Sequence, residues 1–257
     1  MSRRGPWTAG AVAVGAVAGV LALAGAAREG AGKELGSAGA VVVGGERLEV
    51  RWNDGDTFRI VVGSLKGRSA RMADYNTLES YGPVHRWGAW TREELFDIAK
   101  SAAAVAAASA WECTDTGSGG GYGRLLVSCP GAAREMIGRG LAHVFVIGRP
   151  ADPALLALQA DAQKRKVGIW AKGVPPLLIT SVHSADEPHK GGGDEEGDHT
   201  YNRVVDTRTG AASEMPHAER YDTCKEVCVG PAGAESCMVY VPFEHRYRDK
   251  PDCLRTP

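Results

Sequence analysis

The sequence predicts an α+β protein carrying a cross-linked C-terminal part. Three observations lead there. Short β-type runs come first, helical signals follow as separate blocks, and no strand-helix alternation exists that would build a parallel βαβ sheet. The chain has 257 residues, 44% apolar and 24% charged, which excludes a disordered or collagen-like polymer. Its formal charge of -1 lacks the basic excess of a general nucleic-acid binder. That charge is uneven, however. Residues 46–172 hold 17 basic and 14 acidic side chains, whereas residues 173–257 hold 9 and 15. The middle can meet an anionic substrate that the tail would repel.

From the N-terminus, Arg3 and Arg4 precede an uncharged stretch, Ala9 to Ala27, ending in Ala24-Gly25-Ala26. This is the layout of a secretory signal peptide, read over residues 1–26, and export to a secreted or periplasmic location is expected. No stable membrane insertion is expected after cleavage. An uncleaved N-terminal anchor is the alternative, because about 20 apolar residues suffice to span. Residues 27–40, rich in Gly and Ala, read as a linker. Val41 to Val43 opens the β-type region, with strands expected at Leu48 to Trp52, Phe58 to Val62 and Ala70 to Tyr75. Thr91-Arg92-Glu93-Glu94 is a capping box, and Leu95, Ile98, Ala102 and Val105 follow at helical spacing, predicting a helix over 92–108. Ala110 to Thr116 and Arg124 to Cys129 flank a Gly-rich run and predict a hairpin. Ala132 to Arg139 is a second helix, stopped by Gly140. Asp152-Pro153 pairs an N-cap with proline at N1 and opens a third, ending near Val167.

Beyond Pro175-Pro176 the composition turns acidic, Gly-rich and His-bearing, so residues 174–202 read as a solvated linker and 203–257 as a Cys-rich module. Six cysteines agree with export, since an oxidising compartment turns an even count into cross-links. Cys113 and Cys129 are symmetric about Gly121 and read as cross-strand partners of the hairpin. Cys224, Cys228, Cys237 and Cys253 form a second set, read as two disulfides of open connectivity, with a four-thiolate metal site as the alternative. A small module of this kind needs its cross-links, and a protein partner is expected for it.

Three clusters carry the chemistry: Asn53-Asp54-Gly55-Asp56-Thr57, then Arg71 with Asn76-Thr77-Leu78-Glu79, then Tyr122-Gly123-Arg124. Gly140-Leu141-Ala142-His143-Val144 and Ala162 to Trp170 follow in order. Over about residues 41–173 this set resembles the thermonuclease family, the micrococcal-nuclease-like phosphodiesterases. The resemblance implies a five-stranded OB-type Greek-key barrel with three helices, beside which the Cys-rich part is an appendix. It also implies a calcium-dependent nuclease acting on DNA or RNA. Bottom-up, the residue types suit the task. Cleaving a phosphodiester gathers negative charge, which two arginines from different strands can clamp, here Arg71 and Arg124. Glu79 can take the proton of an attacking water. The resemblance assigns a calcium ion to Asp56, Asn76 and the Thr77 carbonyl, and Tyr122 either stacks a base or covers the barrel. Two departures stand out. Asn76 replaces the family's second calcium carboxylate, with Asp74 and then Asp54 as compensating candidates. The family's aromatic pair falls on Val146 and Gly148. A catalytically weakened or inactive binding module with the same barrel is therefore the alternative. The aromatics of Ser80 to Trp90 are expected to pack under the following helix.

Overall fold

The computed structural model describes residues 36–119, 123–187, 201–246, 250 and 252–254. The signal read over residues 1–26 lies outside them. Among the described residues, no helix is long and apolar enough to cross a membrane. The described residues form one compact unit.

The unit is α+β, with three α-helices and a closed six-stranded barrel of mixed strand direction, consistent with an OB-like architecture. The first four barrel strands are β1 (Ser37–Val43), β2 (Glu46–Trp52), β3 (Thr57–Val62) and β4 (Ser69–Met72), each antiparallel to the next. A three-residue strand β5 (Tyr75–Thr77) and another, β6 (His85–Trp87), follow, and then helix α1 (Arg92–Ala107). Strands β7 (Ala110–Gly119) and β8 (Leu125–Ser128) complete the barrel, β7 parallel to β1 and β8 parallel to β4. Helix α2 (Pro130–Gly138), strand β9 (Ala142–Val144) and helix α3 (Pro153–Arg165) come next.

The barrel fills by strand alternation: Leu48, Val50 and Trp52 on β2 point inward with Phe58, Ile60, Ala70, Met72 and Val127. Trp52 and Phe58 meet at 4.8 Å, tilted by 57°. Helix α1 is closed as expected, Thr91 accepting from the Glu94 N–H while Glu94 accepts from the Thr91 N–H. Asp152 caps α3 by accepting from the Ala154 N–H.

Two sequence expectations are corrected. The barrel has six strands, not five, and the stretch read as a linker over 27–40 contributes Ser37 to Ala40 to the first of them, β1. Small residues are required there: a Cβ on Gly39 would lie 2.9 Å from the Trp52 indole nitrogen and 3.0 Å from Ala107. The strand expected over Ala70 to Tyr75 also breaks after Met72. Asp74 turns out of line to meet Arg149 at 2.7 Å and the Ser128 hydroxyl at 2.5 Å, and β5 leaves the barrel to pair with β9.

The C-terminal third is likewise folded onto the barrel. Strands β10 (Leu177–Ser181), β11 (Tyr201–Asp206) and β12 (Ala212–Pro216) make an antiparallel sheet. The solvated linker expected over 174–202 thus contains a strand with a buried centre, and its residues 188–200 lie outside those described. Strands β13 (Glu226–Val229) and β14 (Ser236–Val239) form a second sheet, which β6 joins as a third member. The Cys-rich segment therefore shares backbone hydrogen bonds with the barrel region. Leu178 and Val205 pack with Trp87, Phe145, Ile169 and Trp170 in one apolar cluster. All six cysteines are cross-linked, as Cys113–Cys129, Cys224–Cys253 and Cys228–Cys237. The first pair is the one expected across the β7–β8 hairpin, and in the last the two residues are direct cross-strand neighbours.

Candidate active site

The site begins at the turn into β3. Asp54 Oδ1 accepts from the Asp56 N–H at 3.1 Å and the Thr57 N–H at 2.7 Å, closing the bend. Gly55 is there for space: a Cβ would stand 2.6 Å from Thr77 Cγ2 and 2.7 Å from Met136 Cε. The turn aims Asp56 inward. Its Oδ2 accepts from the Thr77 N–H at 2.7 Å and the Thr77 hydroxyl at 3.3 Å, and its Oδ1 accepts from the Thr57 hydroxyl at 2.7 Å.

Arg71 reaches this group from β4, held over the Phe145 ring at 5.7 Å. Its Nη1 lies 3.4 Å from Asp56 Oδ1, and its Nη2 donates to Asn76 Oδ1. Burial opposes ionisation of Asp56, but the Arg71 charge and the Thr77 N–H outweigh it and hold the carboxyl below its usual range. Asp54 goes the other way: burial, then the charges of Asp56 and Glu79, push it well above that range.

Asn76 stands in β5 opposite His143 in β9. His143 Nδ1 lies 3.1 Å from the Val144 carbonyl oxygen and so is the protonated nitrogen, leaving Nε2 as an acceptor 3.5 Å from Asn76 Nδ2. Burial keeps this ring neutral, its pKa lowered to about 4. Asn76 Nδ2 also donates to the Thr77 carbonyl at 3.0 Å.

Glu79 follows β5 on the loop to β6 and is half-buried. Burial, then the Asp56 charge, raise its pKa, while Arg71, Arg246 and Arg124 pull it down. Arg124 stands just before β8, and its charge is thus felt at Glu79. Tyr122 lies outside the described residues. Arg246 belongs to no motif of the sequence. It comes from the Cys-rich segment and lies against Gly82, whose Cβ would meet Arg246 Cγ at 3.1 Å. Its Nε donates to the Val241 carbonyl and its Nη2 pairs with Glu187 at 2.9 Å. No sequence pattern links residues so far apart. Asp54 stands in the Asn53–Thr57 cluster, where the sequence offers it only as a compensating ligand.

The residues assigned to calcium come together, but as arranged they do not fit that ion. Asn76 Oδ1 is taken by Arg71, the Thr77 oxygen by Asn76 Nδ2, and Asp56 is the only carboxylate among the three. Asp74, the first candidate to compensate, is held away by Arg149 and Ser128. Asp54 spends its Oδ1 on backbone N–H groups. Among the described residues, the one cluster of three close ligand types is Glu226 with Cys228 and Cys237, whose sulfurs are bonded to each other. The loop aromatics have structural work as expected. Trp87 is buried against Leu95 and Ala99 of α1, and Trp90 Nε1 donates to the Ile169 carbonyl at 2.9 Å. Phe145 is buried too, and Ile147, beside Val146, is exposed.

Among protein-family models and curated proteins, nothing matches this chain.

Proposed function

We propose that the chain is an exported phosphodiester hydrolase of the thermonuclease type, acting on DNA or RNA. One observation carries the reading: Arg71, Asp56, Asn76 and Thr77 form one hydrogen-bonded group next to a half-buried Glu79 that also feels Arg124. The ordered motifs in the sequence support it. So do three disulfides, which fit an oxidising, extracytoplasmic setting.

The chemistry follows from these residues alone. A phosphate oxygen docks on Arg71, whose fork has five donors, and Arg124 approaches from β8 to share the charge that grows in the transition state. Glu79 is the base. Burial and the Asp56 charge raise its pKa, which makes it a better proton acceptor than a solvated carboxylate. The attacking water loses its proton to Glu79 as its oxygen bonds to phosphorus and the leaving oxygen departs.

Cleavage of single-stranded DNA and of RNA by the oxidised protein is the test. Glu79→Gln and Arg124→Lys are each expected to lower the rate by ~100-fold or more. Intact substrate after incubation with the parent, while a control nuclease cuts, would refute the hydrolase. A second reading, a barrel that holds nucleic acid without cutting it, has an observation of its own: Arg71 spends donors on Asp56 and Asn76. Filter binding without cleavage, weakened by Arg71→Met, would favour that reading.

A further inference from the structure

We propose that the Arg71 guanidinium is the resident cation of this site, in the place where a divalent metal would otherwise stand, so that the site binds no calcium. The proposal takes its substrate from the phosphodiesterase reading, but its statement about the metal rests on contacts that can be tested without any substrate.

Arg71 reaches Asp56 Oδ1 with Nη1 at 3.4 Å and Asn76 Oδ1 with Nη2. These are two of the three donor residues that a cation would need. The third donor, the Thr77 carbonyl oxygen, accepts from Asn76 Nδ2 at 3.0 Å. The orientation of the Asn76 amide decides the matter, and His143 fixes it. Because His143 Nδ1 gives its proton to the Val144 carbonyl, the neutral ring presents a lone pair at Nε2, 3.5 Å from Asn76 Nδ2. Turning the amide over would set its oxygen against that lone pair and against the Thr77 oxygen. It would also set its NH2 against the Arg71 guanidinium. Three contacts would become repulsive at once, so Asn76 Oδ1 stays on Arg71.

Charge leads to the same end. Calcium gathers six to eight oxygens and tunes its affinity by the number of carboxylates among them. Here Asp56 is the one carboxylate in contact with the guanidinium, and Asp54 and Glu79 act on it from beyond contact distance. Asp54 turns its Oδ1 to the Asp56 and Thr57 N–H groups, and Asp74 is held away by Arg149 and Ser128. A guanidinium cannot ligate or acidify a water. It can hold a phosphate oxygen, which leaves activation of the water to a side chain and makes a chelator irrelevant.

The test uses the full oxidised chain and reads thermal midpoint in ~10 mM calcium against EDTA, beside Asn76→Asp and Asp56→Asn. The parent is expected to melt at the same temperature in both buffers, within about 1 °C, and to keep any nuclease rate in EDTA. Asn76→Asp restores the second carboxylate and is expected to gain a calcium-dependent rise of ~4 °C, as for a site of ~1 mM affinity at that concentration. A calcium-dependent rise in the parent that disappears in Asp56→Asn would overturn the proposal, whether or not Asn76→Asp folds. If the parent is indifferent to calcium and also cuts nothing, the resident-cation assignment stands and the hydrolase reading falls.

Discussion

His85 makes the fold acid-sensitive by an amount that can be worked out. It sits on β6, 4% exposed, edge-on to Trp87 at 6.1 Å, and neither ring nitrogen has a hydrogen-bond partner among the described residues. Burial, and then the neighbouring His143, lower its pKa from 6.5 to about 3. The unfolded chain therefore binds the proton first. Stability is complete above the unfolded pKa near 6.5 and is lost as pH falls toward 3. At pH 4 the free imidazole is almost fully protonated while the folded one is about one-tenth protonated, which costs the native state about 3 kcal/mol relative to pH 7. Urea unfolding at pH 7 and pH 4 would measure this in the parent and in His85→Phe, which keeps the ring shape and removes the titration. The parent should lose about 3 kcal/mol more than the variant between the two pH values. At pH 7 the variant should be the more stable, since two unsatisfied buried nitrogens are gone. His143 remains in both proteins, so only its coupling to His85 differs between them. Equal losses in parent and variant would refute the assignment of a neutral, unpaired His85.

Two further predictions concern the links between elements. Replacing Cys113 and Cys129 together by Ser opens a cross-link spanning 16 residues and should cost about 3 kcal/mol, read as a lower urea midpoint with the other two disulfides intact. Glu226 is gripped by Arg86 Nε and Nη2 at 3.0 and 2.7 Å and by Arg92 Nη2 at 2.8 Å, joining β13 to β6 and the start of α1. The Arg86 hydrogen bond, against partial burial, holds its carboxyl at about 2, so its stabilisation is present above about pH 4.5 and fades as pH falls through 2. Glu226→Gln should cost about 1 to 2 kcal/mol at pH 7, with the gap to the parent closing in acid.

Local chemistry was the legible part of this chain. Thr91 with Glu94, Asp152 with Pro153, and the two cysteines about Gly121 each act within a few residues or one hairpin, and the fold uses each as expected. What escaped was set by partners distant in sequence. Ser37 to Ala40 reads as linker because its residues are small, yet Gly39 is small because Trp52 and Ala107 press on it. Alternation through Ala70 to Tyr75 would put Asp74 and Asn76 on one face, but the strand breaks at Ala73 and Asp74, where Asp74 pairs with Arg149. At the site, the motifs brought Asp56, Arg71, Asn76 and Thr77 together in one place. They could not say which way the Asn76 amide turns, because His143, 67 residues later, decides it. Arg246 is further still, and only the pairing of β6 with β14 explains why a Cys-rich tail reaches Glu79.

That pairing has a consequence for the chain's divisibility. A protein ending at residue 173 keeps all six barrel strands and three helices, so the motifs alone would rate it a complete domain. It would, however, leave β6 without its neighbour and uncover the face formed by Trp87, Phe145, Ile169 and Trp170, on which Leu178 and Val205 now sit. It would also expose the main-chain groups of Val84, whose carbonyl accepts from the Val239 N–H, and of Val146, which exchanges hydrogen bonds with Gly210 and Ala212. Burial of each large apolar side chain stabilises by roughly 1.5 to 3 kcal/mol, so losing two from this face, together with the opened ladders, removes a large share of a typical 5 to 15 kcal/mol. The truncated chain is expected to bind a hydrophobic dye and to melt without a cooperative transition. A sharp melt near that of the full chain, with no dye binding, would mean that the C-terminal third is an independent body after all, and that Arg246 reaches the site only as a visitor.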